Sequence, residues 1–458
     1  MLSISPLSAD VAALRGLLDG DVVLPGEAGW DAARQAWNLA ADQRPALVAL
    51  PESADDVQAL VDFARTRGLR VAMQGTGHNA VPLGPLDDSL LVKTERMRGV
   101  EIDERNCVAR VEAGALWMDV TAPASEAGLA ALAGSSPDVG VVGYTLGGGL
   151  SWLGRRYGLA ANRLLSADVV TADGRLVRAS RHENPELFWA LRGGGGNFGA
   201  VVAIEFELIP LRKVHAGMML FPWDRAREVM QTWREWTAGV PDSVTTSARI
   251  MQFPPMEELP PFLRGRGVVI IDGAILEDAE RAAELLAPLR ALGPEMDTFE
   301  DIPPVGLSRI HMDPEQPMPG ISDSMMLDSL DADTVDRFVD ATGPGSGSPL
   351  LLVELRHLGG ALGRYAGGAL SRFDGEYLYF AAGIPMDPAV VAGLEAQFAI
   401  VGSVLASQSS GNHYLNFAER PVEPVAFYGE QTYARLRKIK AEVDPLEIFR
   451  GNHEIPAA

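Results

Sequence analysis

Apolar residues recur along this chain in two rhythms, and each predicts a different element. Val57, Leu60, Val61 and Ala64 fall on one helical face. Ser53 precedes them as an N-cap, Asp55 and Asp56 supply first-turn acids, and Gly68 closes the helix. The apolar run at 69–73 reads as a buried strand, and 90–93 and 109–113 read as two more. Residues 117–127 read as a helix despite Pro123, ended by Gly128. A hairpin with an Asp173-Gly174 turn is expected over 168–177, and another strand over 200–208. Farther on, 267–271 and 351–357 read as strands and 279–292 as an amphipathic helix with Leu285, Leu286 and Leu289 on one side. The Pro- and Met-rich stretch 303–319 reads as a loop near a pocket mouth. A last helix near 433–443 ends at Asp444-Pro445.

Three glycine-rich turns, each tied to strands, break this pattern. The first is Gln74-Gly75-Thr76-Gly77-His78-Asn79. The second runs over 134–149 and includes Ser136, Asp138, Val139, Gly140, Gly143, Tyr144, Gly147 and Gly148. It continues through Tyr157 and Gly158 to Asn162. The third covers 193–199, with Asn197 and Gly199, and leads into a strand through Val201. Small residues at strand ends let backbone N–H groups approach a phosphate. Val, Leu and Tyr between the glycines speak for ordered loops rather than linkers. One large, extended cofactor accounts for all three turns.

Composition narrows the partners. With 458 residues, 47% hydrophobic and 22% charged, the chain is an ordinary globular sequence long enough for two to four domains. Its net charge of −22 argues against nucleic acid or an anionic membrane as a main partner. An anionic cofactor stays possible, because backbone amides hold phosphates without Lys or Arg. No apolar run is expected to span a membrane, and residues 1–20 lack a secretory pattern. Cys107, the single cysteine, cannot form an internal disulfide and is expected to be a small core residue of an alternating strand. A cytoplasmic location is the expectation. His182 and His413 show no metal-ligand spacing, and no nucleophile elbow occurs, so neither a metal nor a serine triad is expected.

The motifs in order carry a resemblance. After Gly-Thr-Gly-His come Pro-Asp-Val-Gly-Val-Val-Gly-Tyr-Thr-Leu-Gly-Gly-Gly, Tyr-Gly-Leu and Val-Thr-Ala-Asp-Gly. Leu-Phe-Trp-Ala-Leu-Arg-Gly-Gly-Gly-Gly-Asn-Phe-Gly follows, and the tail holds Tyr414-Leu415-Asn416-Phe417, Asp444-Pro445 and Phe449-Arg450-Gly451-Asn452. The chain resembles the FAD-linked oxidases of the vanillyl-alcohol oxidase type, in their berberine-bridge-enzyme-like branch, from about residue 43 to the end. The resemblance implies an α+β fold. A two-part PCMH-type FAD-binding domain at 1–211 would join an antiparallel-sheet substrate domain with helices at 212–411. A segment at 412–458 would return to the FAD domain. It implies that His78 bonds covalently to the flavin 8α-methyl, while Gly75, Thr76, Gly77 and Asn79 hold the pyrophosphate. Gly140, Gly143, Gly147 and Gly148 would lie along the isoalloxazine and ribityl chain, continued by Tyr157, Gly158 and Asn162. Asn197, Gly199 and Val201 would flank the adenosine half. Asn416 and Asn452 would return to the flavin. Many members carry a second flavin bond from a cysteine; this chain has Ser136 there, so one histidyl bond is implied. Gln74 replaces a usual Arg, and Phe417 replaces a common Tyr.

The implied reaction is oxidation of a small or medium organic molecule. Hydride leaves a C–H beside oxygen or nitrogen while a base takes the O–H or N–H proton. Tyr414 is the first candidate base, because i and i+2 in a strand share a face and Asn416 would then point with it toward the flavin. Tyr144 could reach flavin or substrate from the glycine loop. Glu354 and Arg356 share a strand face and are expected to pair at the surface, with His357 a weaker acid–base candidate. Val139 lies near the expected oxygen approach, where a bulkier Leu would hinder it more, so molecular oxygen is the expected acceptor and hydrogen peroxide the product. Two alternatives stand: an oxygenating or rearranging tailoring enzyme using the same flavin, and a FAD-binding protein without turnover. The sequence names neither the substrate nor the oligomeric state.

Overall fold

The computed structural model describes residues 4–257 and 261–458. The first three residues of the stretch expected to lack a signal lie outside the described residues. The helix expected after Ser53 is Ala54–Arg67. The Ser53 side chain accepts from the Asp56 backbone N–H, and Gly68 ends the helix in the left-handed region at φ 66°. Val57, Leu60, Val61 and Ala64 are its buried face, packed on Val71, Leu90 and Val92.

Those last residues belong to a five-stranded sheet in the order Asp21–Val23, Leu47–Leu50, Ser89–Lys93, Arg70–Gln74, Phe449–Arg450. Its central pairs are parallel, and the final strand comes from the far end of the chain. A second five-stranded sheet is antiparallel: Val100–Asp103, Val108–Glu112, Ala200–Glu207, Leu164–Val170, Leu176–Ser180. The expected hairpin is its last pair, turning at Asp173-Gly174. Cys107 corrects the reading that placed it inside a strand. It sits half-buried in the turn before Val108–Glu112 at φ 54°, with Sγ 3.7 Å from the Glu104 carbonyl.

A large antiparallel sheet follows, with Gly267–Ile275, Val244–Gln252, Leu352–His357 and Tyr377–Gly383 at its centre. Helices Ala226–Thr237, Ala279–Arg290, Ala332–Thr342 and Pro388–Leu405 contribute to the core on one face, around Trp233, Leu286, Phe338 and Phe398. The helix at the end of that set corrects the expectation about apolar runs, being long and apolar enough to cross a membrane by length and composition. Its Leu394, Phe398, Val401 and Leu405 are buried in the sheet's core. On the opposite face, Arg356 lies over Trp152, which follows the second glycine-rich segment, and over Phe417.

Candidate functional site

The first glycine turn leaves the strand Arg70–Gln74 beside an earlier segment of the chain. Trp37 and Asn38 donate their backbone N–H groups to the carbonyls of Thr76 and Gly77, at 2.9 and 3.3 Å. This crossing fixes the turn. Gly77 is needed there twice: its φ is 83°, and a Cβ would come within 2.8 Å of the Ala36 Cβ. His78 stacks on Trp37 with ring centroids 3.9 Å apart and planes 19° from parallel. Trp37 Nε1 donates to Asp138 Oδ2 at 2.6 Å, and Asp138 Oδ1 lies 3.5 Å from His78 Nε2. Asp138 belongs to the second glycine segment, so both loops meet at the histidine. A Cβ on Gly140 would likewise lie 3.9 Å from Thr76.

The chain's tail closes the turn from the other side. Asn79 Nδ2 donates to the Leu415 carbonyl at 3.2 Å, and Asn452 Nδ2 donates to the Asn79 carbonyl. Asn416 Nδ2 donates to the Tyr144 carbonyl at 2.9 Å and to the Tyr414 hydroxyl at 3.0 Å. The Tyr414 oxygen also accepts from the Gly149 N–H at 3.0 Å. Tyr414 and Asn416 thus meet as expected, but for another reason. Residues Leu415–Phe417 form a 3₁₀ turn, not a strand, and the contact comes from the reach of the Asn416 amide. Gly147 is required by that amide, since a Cβ there would lie 1.7 Å from Asn416 Oδ1. Gly148 lies against Leu370 and Tyr414.

Other expected residues have different surroundings. Tyr144 donates its hydroxyl to the Leu132 carbonyl at 3.0 Å and packs edge-on to Trp117, so its proton is committed to the backbone. Val139 packs on the core around Trp117, and its carbonyl accepts the Trp117 N–H at 3.0 Å. Gly143 is exposed. Tyr157 ends the short helix Gly154–Tyr157 and lies under the Arg163 guanidinium at 5.9 Å. Gly158 follows at φ 84°, near the Asn162 amide, which donates to the Ser371 carbonyl at 3.1 Å. Asn197 is spent on the tail: Nδ2 donates to the Gly194 and His453 carbonyls at 3.2 and 3.1 Å, and Oδ1 accepts from Ile455 at 3.2 Å. Gly199 lies against Val169, the register partner of buried Val201.

The residues fit an extended polar cofactor along these loops. Among the described residues, buried polar atoms without a hydrogen-bond partner include both amide atoms of Gln74, Asn79 Oδ1, Thr145 Oγ1 and Asn162 Oδ1. Burying such groups unpaired is costly, so a ligand that supplies partners is the physical expectation.

A charged cluster on the large sheet roofs this region, and sequence reasoning missed most of it. Asp272 is fully buried, bonded to Arg249 at 2.5 Å and to His311 Nδ1 at 2.7 Å. Burial alone would raise its carboxyl, but Arg249 and His311 outweigh that and hold it far below the usual range. His311 Nε2 faces Arg356 at 3.3 Å and Glu354 at 3.6 Å, and Arg356 Nε pairs with Glu354 at 2.8 Å. The expected Glu354–Arg356 pair therefore exists, but its surface placement is corrected: Glu354 is 0% exposed. His357 is buried on the other face, 3.0 Å from Arg155. The guanidinium of Arg356 lies over the rings of Phe417 and Trp152, at 5.0 and 5.8 Å. Ser135 and Ser136 each donate to Asp313 Oδ2 at 2.7 Å, which ties the second glycine segment to the loop after His311.

Burial pushes the Tyr414 phenol well above its ordinary value, against the lowering effect of the Asn416 and Gly149 donors. Tyr144 is pushed up by burial and by the neighbouring Tyr414.

Two family models match the chain: a FAD binding domain over residues 45–180, and "berberine and berberine like" over 413–456. The (R)-6-hydroxynicotine oxidase of Paenarthrobacter nicotinovorans is 31% identical over 96% of this chain and 97% of that protein. A BBE-like protein of Physcomitrella patens superposes with a TM-score of 0.86 at 20% identity, over 98% and 99% of the two chains. The glucooligosaccharide oxidase of Acremonium strictum superposes at 0.83 and 23% identity, over 98% and 99%, and is described as carrying a 6-S-cysteinyl, 8α-N1-histidyl FAD.

Proposed function

Because the chain belongs to the berberine-bridge-like FAD-linked oxidoreductases, we propose that it is an oxidase of a small or medium organic substrate, with FAD held by a single histidyl bond at His78. FAD, when bound, accepts the hydride from a C–H beside oxygen or nitrogen and passes the electrons to dioxygen, giving hydrogen peroxide. The observation that carries the reading is convergence. Asn79, Asn452, Asn416, Tyr414 and the glycine-loop backbone at Tyr144 and Gly149 are joined by direct contacts although they come from three distant stretches, and His78 stands in the same turn as Asn79. Ser136 is engaged with Asp313, which supports a single attachment point.

Tyr414 is the residue we assign to the substrate proton. Its oxygen accepts two N–H groups, so its own proton is committed to neither, and those donors would stabilise a phenolate. Phe417 packs on the Tyr414 ring at 5.3 Å, and Arg356 lies over Phe417 and Trp152. Asn416 couples Tyr414 to the Tyr144 carbonyl and so fixes the phenol against the glycine loop.

The test starts with the visible spectrum of purified protein and acid precipitation. A yellow, fluorescent pellet that is lost in His78→Ala supports the attachment; flavin left wholly in the supernatant overturns it. Alcohols, sugars and amines are then screened by anaerobic bleaching of the flavin, followed by oxygen and peroxide measurement. One peroxide per oxygen consumed supports an oxidase. Oxygen consumed in excess of peroxide favours oxygenation, and flavin that no substrate bleaches favours a binding protein.

A further inference from the structure

We propose that Trp37 and Asp138 are positioning residues for cofactor attachment. Trp37 holds the His78 ring by its face and Asp138 faces Nε2, which presents Nδ1 as the nitrogen that bonds the flavin methyl carbon and lets Asp138 receive the proton that Nε2 releases. This rests on the histidyl attachment proposed above and goes beyond it by assigning the residues that select the nitrogen and assist the bond.

An imidazole in a glycine turn has two nitrogens and a freely turning ring, so attachment needs something that chooses between them. Trp37 fixes the ring plane by stacking at 3.9 Å. The stack is built in, because the Trp37 and Asn38 backbone N–H groups are bonded to the carbonyls on either side of the turn's centre. The same indole donates to Asp138 Oδ2 at 2.6 Å, a short charge-assisted bond that pins the carboxylate. The second oxygen, Oδ1, is then directed at His78 Nε2, 3.5 Å away. That separation is just beyond a formed hydrogen bond, about 0.5 Å from a good one. Both atoms are buried and have no other hydrogen-bond partner among the described residues. A carboxylate so placed favours the tautomer with the proton on Nε2 and leaves the Nδ1 lone pair free, the orienting role that carboxylates play toward catalytic imidazoles.

The bond-forming step balances as follows. The flavin 8α-methyl gives up one proton to solvent, and a C–N bond forms to His78 Nδ1. The Nε2 proton passes to Asp138. The two electrons released reduce the isoalloxazine. Dioxygen then takes those two electrons and two protons as one hydrogen peroxide, restoring the oxidised, attached flavin. Without Asp138 the attached imidazole would have to shed its proton to a poorer acceptor.

The experiment follows attachment itself, not turnover. Protein produced under flavin limitation is mixed with FAD in air. Flavin fluorescence retained by denatured protein is read over time for the wild type, Asp138→Asn, Asp138→Glu, Trp37→Phe and His78→Ala. We expect none in His78→Ala, attachment slowed at least roughly a hundredfold in Asp138→Asn, the lower end for lost proton transfer, and slowed attachment in Trp37→Phe. Asp138→Glu should recover part of the rate. Dissociable FAD should still bind all four variants with a wild-type-like spectrum, which separates slowed chemistry from misfolding. Flavin-peptides from the wild type should carry the bond on Nδ1. Wild-type rates in both Asp138→Asn and Trp37→Phe, or attachment through Nε2, overturn the proposal. A wild type that never retains flavin refutes the histidyl attachment instead.

Discussion

Replacing Gly147 by Ala tests whether the site's geometry rests on close approach between the glycine loop and the tail. Gly147 has φ −86° and ψ 3°, a conformation open to alanine, so no backbone strain is added. The added Cβ, however, would lie 1.7 Å from Asn416 Oδ1 and 2.7 Å from its Cγ. No rotation of a methyl relieves that, and Asn416 must leave. Its amide then loses its bonds to the Tyr144 carbonyl and the Tyr414 hydroxyl. Two hydrogen bonds at about 1 kcal/mol each and an overpacking cost of about 1–3 kcal/mol predict a loss of roughly 3–5 kcal/mol. Asn416→Ala alone should lose roughly 2 kcal/mol, the two bonds without the clash. In that background the space is free, and Gly147→Ala should be neutral or slightly stabilising, as Gly→Ala is at compatible positions. The coupling energy is therefore roughly 3–5 kcal/mol, at or above the high end for residues in contact. Equilibrium urea unfolding of the four proteins, followed by tryptophan and flavin fluorescence, measures it. Equal costs of Gly147→Ala with and without Asn416 would refute the contact as the cause.

Tyr414→Phe addresses the proton. With the phenol pushed above its ordinary value, the phenolate is the minor form at neutral pH, so flavin bleaching by substrate should quicken about tenfold per pH unit on the alkaline side. The Phe variant should lose that slope and about 10²–10⁴ in rate; an unchanged slope in stopped-flow bleaching would move the base elsewhere, with Glu354 next in line. Asp272→Asn leaves Arg249 and His311 without their buried counter-ion, and should cost about 3–5 kcal/mol in the same urea assay; a loss near zero would mean the cluster relaxes onto water or Glu354. His357 is pushed down to about 3 by burial, with Arg155 adding to it, whereas an unfolded His titrates near ~6.5. Its buried neutral form thus contributes stability that is complete above pH ~6.5 and drains away as pH falls toward 3. Thermal melts of His357→Gln should show a flatter acid limb across that window, and an acid limb as steep as the wild type's would count against the shift.

What the sequence disclosed follows the range of the physics involved. Glycine turns announce themselves locally, because a turn against a ligand needs small residues wherever it occurs, and the strand-to-turn reading around His78 survived for that reason. The partner of His78 did not show. Asp138 stood inside the second motif without an assigned role, and Trp37, which gives it one, lies 101 residues away along the chain. The cluster of Arg249, Asp272, His311, Glu354 and Arg356 is drawn from three strands and a loop, so no spacing records it. Glu354 and Arg356 were legible as a pair because i and i+2 share a strand face. Their burial was not, because alternation along a strand shows two faces without saying what covers the second. Here helices cover one face, and the His311 loop, Trp152 and Phe417 cover the other.

The tail explains why so much of the site is invisible to local patterns. Phe449–Arg450 pairs in parallel with the strand that ends at Gln74, directly before the His78 turn. That pairing is held by Lys440, whose buried ammonium bonds Asp444 at 2.6 Å and the carbonyls of Asn197 and Phe449 at 2.7 and 2.9 Å. Asp444 in turn accepts the N–H groups of Ile448 and Phe449, each at 2.9 Å. A buried charge of this kind is costly unless every partner is present, so it enforces one register for the final strand. The same register sets Asn452 on Asn79. Tyr414 and Asn416 reach the glycine loop through the start of the same tail segment. The histidine turn and the tyrosine opposite it are thus positioned by one segment, which also supplies the outermost strand of the first sheet.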